Sequence, residues 1–343
     1  MTDEKKGRRR ILVSAVLFPL IAAAMLRLVF RHCDLRTVWA CAASADPRYL
    51  LPAAAAMCGF ILCESLNIGR VIRASGYHVS LFQMLTYGAS GFFFSGITPT
   101  ASGGQPMQLV YMARDHIRLS HGSLSLLVEL LGFQTANLSL ALFGIFYNLP
   151  QLRGMRPAVQ VLIAAGMGAN AGVFAVLLLL IFRQRASAAV GCGLKRLCRA
   201  LKRPGAADKL ESQLQEYRAG SVYIRRHPGL LVKNIATSFL QLTAMYSITF
   251  FVYRALGGAA FGWARIFSMQ AVLTAAIAVI PLPGSVGSGE SGFRLMFSHI
   301  FSGRLLMPGM LLSRGISFYL GLLVTGVFLL VVFLCRRAGG HRQ

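Results

Sequence analysis

Two stretches, Thr98-Pro99-Thr100-Ala101-Ser102-Gly103-Gly104-Gln105-Pro106 and Pro281-Leu282-Pro283-Gly284-Ser285-Val286-Gly287-Ser288-Gly289-Glu290, interrupt long apolar runs. Proline lacks a backbone N–H and clashes with the preceding turn, and glycine is the next least favourable residue in a helix interior. Neither run, about 81–118 or about 263–303, therefore continues as a helix through its middle. Each reads either as a re-entrant hairpin or as two thin crossings.

Outward from these breaks lie six uninterrupted apolar runs, at about 11–30, 49–69, 123–149, 157–182, 234–253 and 308–334. Each is long enough to cross about 30 Å of hydrocarbon. With 55% hydrophobic and 13% charged residues and a mean hydropathy of +0.60, the 343-residue chain is a polytopic membrane protein, not a soluble domain. The net charge of +24 does not indicate nucleic acid. Its cations gather between apolar runs: five in residues 1–10, twelve in 183–233, and Arg336, Arg337 and Arg342 at the end. That is the pattern of cytoplasmic loops facing anionic lipid at the inner leaflet.

Residues 5–26 imitate a signal peptide, and Ala43-Ser44-Ala45 resembles a cleavage site. Arg27, Arg31 and Arg36 separate that site from the apolar run, so the segment reads as an uncleaved first span. The seven cysteines form no CxxC and no metal-ligand spacing, which leaves a Cys33–Cys41 disulfide as an open alternative to buried thiols. No metal and no cofactor are expected. Walker, dinucleotide and HExxH motifs are absent, which argues against an ATP-driven pump or a zinc protease.

With the N-terminus, the loop 183–233 and the C-terminus all cytoplasmic, counting crossings makes 81–118 enter and leave on the inner face and 263–303 on the outer face. The order, two spans, a broken hairpin and a span, then recurs from the opposite side of the membrane. That is an inverted repeat. Arg70 and Arg254, Pro99 and Pro283, and Gly103 and Gly287 are each 184 residues apart. The fold class expected is thus all-α, a polytopic transmembrane helical protein with two Pro/Gly-broken re-entrant hairpins. It forms one domain over 1–343, with pseudo-repeats at about 11–149 and 157–335 and a basic cytoplasmic insertion at 183–233. That insertion reads either as two amphipathic helices on the inner leaflet or as a solvated basic loop.

Three carboxylates, Glu64, Glu129 and Glu290, fall within apolar segments. An intramembrane carboxylate costs on the order of 3 kcal/mol and normally faces the protein interior or a wet cavity. Arg314 is the matching cation, about 9 Å into the last span, whereas Arg70 and Arg254 sit at span ends where they also read as interface anchors. Glu129 and Arg314 enter from opposite faces and are left roughly 12 Å apart. Glu290 is therefore the better partner for Arg314, and Glu129 faces the first tip near Ser102 to Gln105. A helix restarting at each tip points free N–H groups at the cavity, suiting an anionic phosphate. Thr98, Ser102, Gly103, Gly104, Gln105, Gly284, Ser285, Gly287 and Ser288 complete the candidate substrate site. No catalytic residue is assigned. Gly289-Glu290-Ser291-Gly292 fits the GxSG pattern of intramembrane serine proteases, but no histidine lies on a neighbouring span to act as base.

These motifs resemble the transmembrane-domain family of lysylphosphatidylglycerol synthases, flippase-like polytopic proteins. The residues that carry the resemblance are Asn67-x-x-Arg70 with Gly76, the 98–106 tip, Glu129, His227-Pro228, the 283–290 tip and Arg314. Gln105 and Leu130 depart from the family pattern, which often has Glu at the first position and a charge at the second. The resemblance implies movement of a phospholipid such as lysylphosphatidylglycerol to the outer leaflet, which lowers killing by cationic antimicrobial peptides. It implies no enzyme activity for this chain, because the aminoacyltransferase domain that names the family is missing before Gln343. The expected function is thus a lipid translocase, or alternatively a membrane subunit presenting lipid to a separate aminoacyl- or glycosyltransferase. Expected partners are a phospholipid, anionic lipid at the inner leaflet and that transferase, with no nucleic acid. The expected location is the bacterial cytoplasmic membrane, multi-pass, with both termini cytoplasmic.

Overall fold

Long helices begin at prolines: Pro47, Pro157 and Pro228 each open one, where the missing N–H is an orphan donor in any case. The computed structural model describes residues 35–98, 101–183, 222, 226–278, 287–301 and 303–339. In chain order the helices are α1 (Leu35–Ser44), α2 (Pro47–Ala74), α3 (Leu81–Ile97), α4 (Gly104–Arg114), α5 (Leu119–Tyr147), α6 (Leu149–Arg153) and α7 (Pro157–Phe182). They continue with α8 (Pro228–Ala255), α9 (Trp263–Ile277), α10 (Ser288–Phe297) and α11 (Leu306–Arg314). A π-helical turn, Gly315–Leu320, links α11 to α12 (Gly321–Gly339). The described residues contain no strand, and the protein is an all-α polytopic membrane protein.

Among the described residues five helices are long and apolar enough to cross a membrane: Pro47–Ala74, Leu119–Tyr147, Pro157–Phe182, Pro228–Ala255 and Leu306–Arg336. They coincide with five of the six uninterrupted runs. The sixth, 11–30, lies outside the described residues, as do Cys33 and nearly all of 184–225, most of the basic insertion read as either two amphipathic helices or a solvated loop. Cys41 is a free thiol. Polarity is distributed inside out. Leu51, Phe146, Val161, Leu323, Val327 and Leu334 are exposed, while Asn67, Gln108, Glu129, Asn137, Asn170 and Asn234 are buried. Apolar residues facing outward along whole helices mark a lipid-facing surface.

Buried amides then join the helices where lipid offers no partner. Asn170 of α7 accepts from Gln134 and Asn137 of α5 at 2.8 and 3.1 Å and donates to the Ala275 carbonyl of α9. Asn137 in turn accepts from the Tyr246 hydroxyl of α8 at 2.8 Å. α2 and α8 run antiparallel, with the Asp46 N–H donating to the Ala255 carbonyl at one end and Asn67 Nδ2 donating to Ser238 Oγ toward the other.

Both broken stretches fold as helical hairpins. α3 starts on a reciprocal cap, Ser80 with Gln83, and α4 returns alongside it. The arms meet closely enough that a β-carbon on Gly104 would lie 2.7 Å from the Gly91 carbonyl oxygen, so the glycines there serve the close approach of two backbones. The hairpin enters and leaves on one face: Tyr77, before α3, hydrogen-bonds His121 of α5 and accepts the Arg118 N–H. Arg336, near the end of α12, is on that face too, paired with Asp115 at 3.1 Å. The α9–α10 hairpin opens and closes on the other face, where Tyr253 packs edge-on against Phe301 and its hydroxyl accepts the Ala260 N–H. The element order α2, hairpin, α5 is thus followed by α8, hairpin, α11–α12 with the faces exchanged.

The helix ends correct one register expectation. Gly76 and Gly257 both have positive φ, +90° and +83°, just past α2 and α8. They are 181 apart, and the arginines three positions before them are Arg73 and Arg254. Arg73 donates to the Val79 carbonyl and Arg254 to the Gly258 carbonyl, each closing the loop that follows its own helix. Arg254 therefore matches Arg73, not Arg70. The spacing grows to 184 at Gly103 and Gly287 because the second tip is the longer one.

Candidate functional site: two chambers at the hairpin tips

The tip of the first hairpin reaches the middle of the helix bundle. There it borders two adjoining cavities that share Phe92, Ser95, Ala101 and Phe133 as common lining. The first chamber, about 530 Å³, is lined by Glu64 of α2, Ser102 and Gln105 of the tip, Gln108 of α4, Glu129 of α5 and Gln241 of α8. Gln108 Nε2 donates to Glu64 Oε1 at 3.1 Å. Among the described residues no Lys, Arg or His lines this chamber, so its two carboxylates have no cation beside them. Such a cavity favours a cationic guest.

The second chamber, about 400 Å³, lies against the second hairpin and carries the opposite charge. Arg314 ends α11 there, its guanidinium 4.8 Å from the centre of the Phe318 ring. Its Nη1 would lie 3.2 Å from a β-carbon on Gly289, which places the cation against the backbone that begins α10. Thr249, Gln270, Thr274, Ser313 and Ser317 add hydroxyl and amide groups. The π turn that follows Arg314 widens the helix at this point, a feature frequent at functional sites. The two chambers therefore adjoin at Phe92 and Phe133, one carrying two carboxylates and the other a guanidinium.

The structure brings together Ser102, Gln105 and Glu129 as expected from sequence, and places Arg314 beside the second hairpin. It separates the rest. Thr98 does not line a chamber; its hydroxyl donates to the Phe94 carbonyl and accepts the Gly103 N–H at 2.9 Å, closing the turn. Gly103 and Gly104 pack against α3. Glu290 lines neither chamber, and among the described residues it makes no ion pair with Arg314, because Arg314 is turned toward Gly289 and Phe318. Gly287 takes φ +86° as α10 begins. Gly284 and Ser285, and the side chain of Ser288, lie outside the described residues. Arg70 lies about 9 Å beyond Glu64 along α2 and lines a different cavity. Ser291 is exposed and makes no hydrogen bond to a histidine. Among the described residues no three His, Cys, Asp or Glu side chains converge on a metal position.

Glu64, Gln108 and Gln241 complete the acidic chamber although the sequence reading left them out of the site. Glu64 carried a usable signal, being a carboxylate inside an apolar helix; the two glutamines carried none.

Residues 11–325 match the model of the lysylphosphatidylglycerol synthase TM region. The chain belongs to this family. A relative from Archaeoglobus fulgidus, described as a UPF0104 membrane protein, is 23% identical over 291 residues, covering 82% of this chain and 85% of its own length. Membership of the lysylphosphatidylglycerol synthase TM-region family agrees with the membrane-embedded fold and spans both hairpins and both chambers.

Proposed function

We propose that this protein moves a phospholipid or lipid-linked head group between the leaflets of a bacterial cytoplasmic membrane, with both termini on the cytoplasmic side. The observation that carries the reading is the pair of adjoining chambers at the hairpin tips, acidic at Glu64 and Glu129 and basic at Arg314. A head group that bears an amine and a phosphate, such as that of lysylphosphatidylglycerol, is matched by that polarity. The amine is held by the carboxylates, and the phosphate by the guanidinium and the hydroxyls around it. Binding near the middle of the bundle between broken helices, with one hairpin from each face, is the arrangement by which alternating access is built in repeat transporters.

The test is reconstitution in liposomes with trace fluorescent lysylphosphatidylglycerol or phosphatidylglycerol, following the exposure of each to an external quencher. Accelerated equilibration of the lysyl lipid, lost on Glu129→Gln, is the expected result. No acceleration with either lipid would overturn the translocase reading and favour a subunit that presents lipid to a separate transferase.

A further inference from the structure

The α2–α8 pair, away from the chambers, ends in a third cavity of about 580 Å³. Arg70 and Ala74 of α2 form one side, and Arg226, His227, Gly229 and Lys233 at the start of α8 form the other. Among the described residues no acidic side chain lines it. Arg70 is fixed in place by neutral acceptors: Nη1 donates to Asn67 Oδ1 at 3.0 Å and to Asn234 Oδ1 at 2.7 Å, and Nη2 to Thr237 Oγ1 at 3.1 Å. These bonds use three of its five N–H donors, and among the described residues no carboxylate meets its charge. Arg226 and Lys233 are exposed and, among the described residues, meet no carboxylate.

The helix geometry adds to that charge. α8 starts without a side-chain cap and with Pro228 in its first turn, so the Gly229 N–H and the positive end of a 28-residue helix face the same opening. Three cations, one on α2, one on α8 and one just before α8, around a cavity lined by no acid among the described residues, form a receptor for an oxyanion, and one of them is held rigidly by a hydrogen-bonded frame.

We propose that this cavity is a phosphate-binding site separate from the paired chambers, with Arg70 as its fixed donor and Arg226 and Lys233 as its mobile cations. The phosphate is that of an anionic lipid head group or a free phosphate. The site also gives Asn67 and Asn234 a purpose that helix packing alone does not require, since both amide oxygens are spent on orienting Arg70.

The experiment uses the full-length protein in neutral detergent and two probes, inorganic phosphate and dioctanoyl phosphatidylglycerol, with affinity read by thermophoresis. Arg226→Gln combined with Lys233→Gln is expected to weaken binding at least tenfold. Arg294→Gln combined with Arg304→Gln removes the same charge from exposed positions elsewhere and is expected to change binding less than twofold. Binding of the lipid alone assigns the site to a head group; binding of both probes with the same tenfold loss assigns it to phosphate itself. The proposal is overturned if neither probe binds, if the first double variant binds like the native protein, or if the two double variants lose affinity alike.

Discussion

Glu64 and Glu129, carried by α2 and α5, face the same chamber, and Gln108 Nε2 holds the first of them through a 3.1 Å hydrogen bond. Two carboxylates in one interior cavity without a cation among its lining residues are costly to keep unless a guest supplies the opposite charge. Replacing either by glutamine keeps the shape and removes the attraction. Glu64→Gln and Glu129→Gln are each expected to slow translocation of a lysyl head group at least tenfold, while phosphatidylglycerol is affected less. Equal loss for both lipids would mean that the carboxylates serve stability and not recognition.

Gly104 tests the hairpin itself. A methyl group there would sit 2.7 Å from the Gly91 carbonyl oxygen, and relieving such a clash costs about 1–3 kcal/mol. Gly104→Ala should lower the thermal midpoint in detergent by several degrees, whereas Gly59→Ala, where nothing lies within 4 Å of the new carbon, should leave it unchanged or slightly raised.

The buried amides of the α5–α7–α8–α9 junction should outweigh surface pairs. Asn170→Leu leaves Gln134, Asn137 and the Ala275 carbonyl without that partner, at a cost of about 1–3 kcal/mol. Asp115→Asn weakens the pair with Arg336, whose side chain is 32% exposed against 10% for Asp115, but keeps an oxygen for the Tyr87 hydroxyl, and is expected to cost less than Asn170→Leu. Unfolding of the two variants in the same detergent would rank them.

The hairpins make a topological prediction. In a cysteine-free background, a thiol placed at His78 should react with a membrane-impermeant maleimide from one side only, and a thiol at Ala260 from the other, because the loops holding them lie on opposite faces. Labelling of both from the same side would refute the inverted arrangement.

Much of the fold was legible because proline and glycine act through local backbone chemistry. The breaks at 98–106 and 281–290 fall where α3 and α9 end and where α4 and α10 begin. The nearness of Glu129 to the first tip followed from depth along a helix, which a fixed rise per residue makes countable. What depth does not encode is azimuth. Glu64 and Glu290 both lie in apolar helices, yet Glu64 turns into the chamber and Glu290 away from it, a difference set by how each helix is rotated in its packing. The same limit hid Gln108 and Gln241. The surroundings of Arg70 were hidden for a related reason: a cation at a span end is equally suited to lipid phosphate and to a site, and only the Asn67, Asn234 and Thr237 frame reveals which neighbours it serves.

The π turn at Gly315–Leu320 divides the last span into two pieces that answer to different neighbours. Before and within it, Arg314, Ser317 and Phe318 face the second chamber; beyond it, Gly326 rests on Phe93 of the first hairpin while Leu323, Val327 and Leu334 meet lipid. A π turn holds about one residue more than an α turn, so it acts as a store of slack in the helix. Deleting a single residue such as Ile316 would let this turn relax to an α turn and leave both halves facing the surroundings they now have. The same deletion inside α12, with no extra residue to give up, would rotate everything after it by about 100° and turn the greasy half of the span away from lipid.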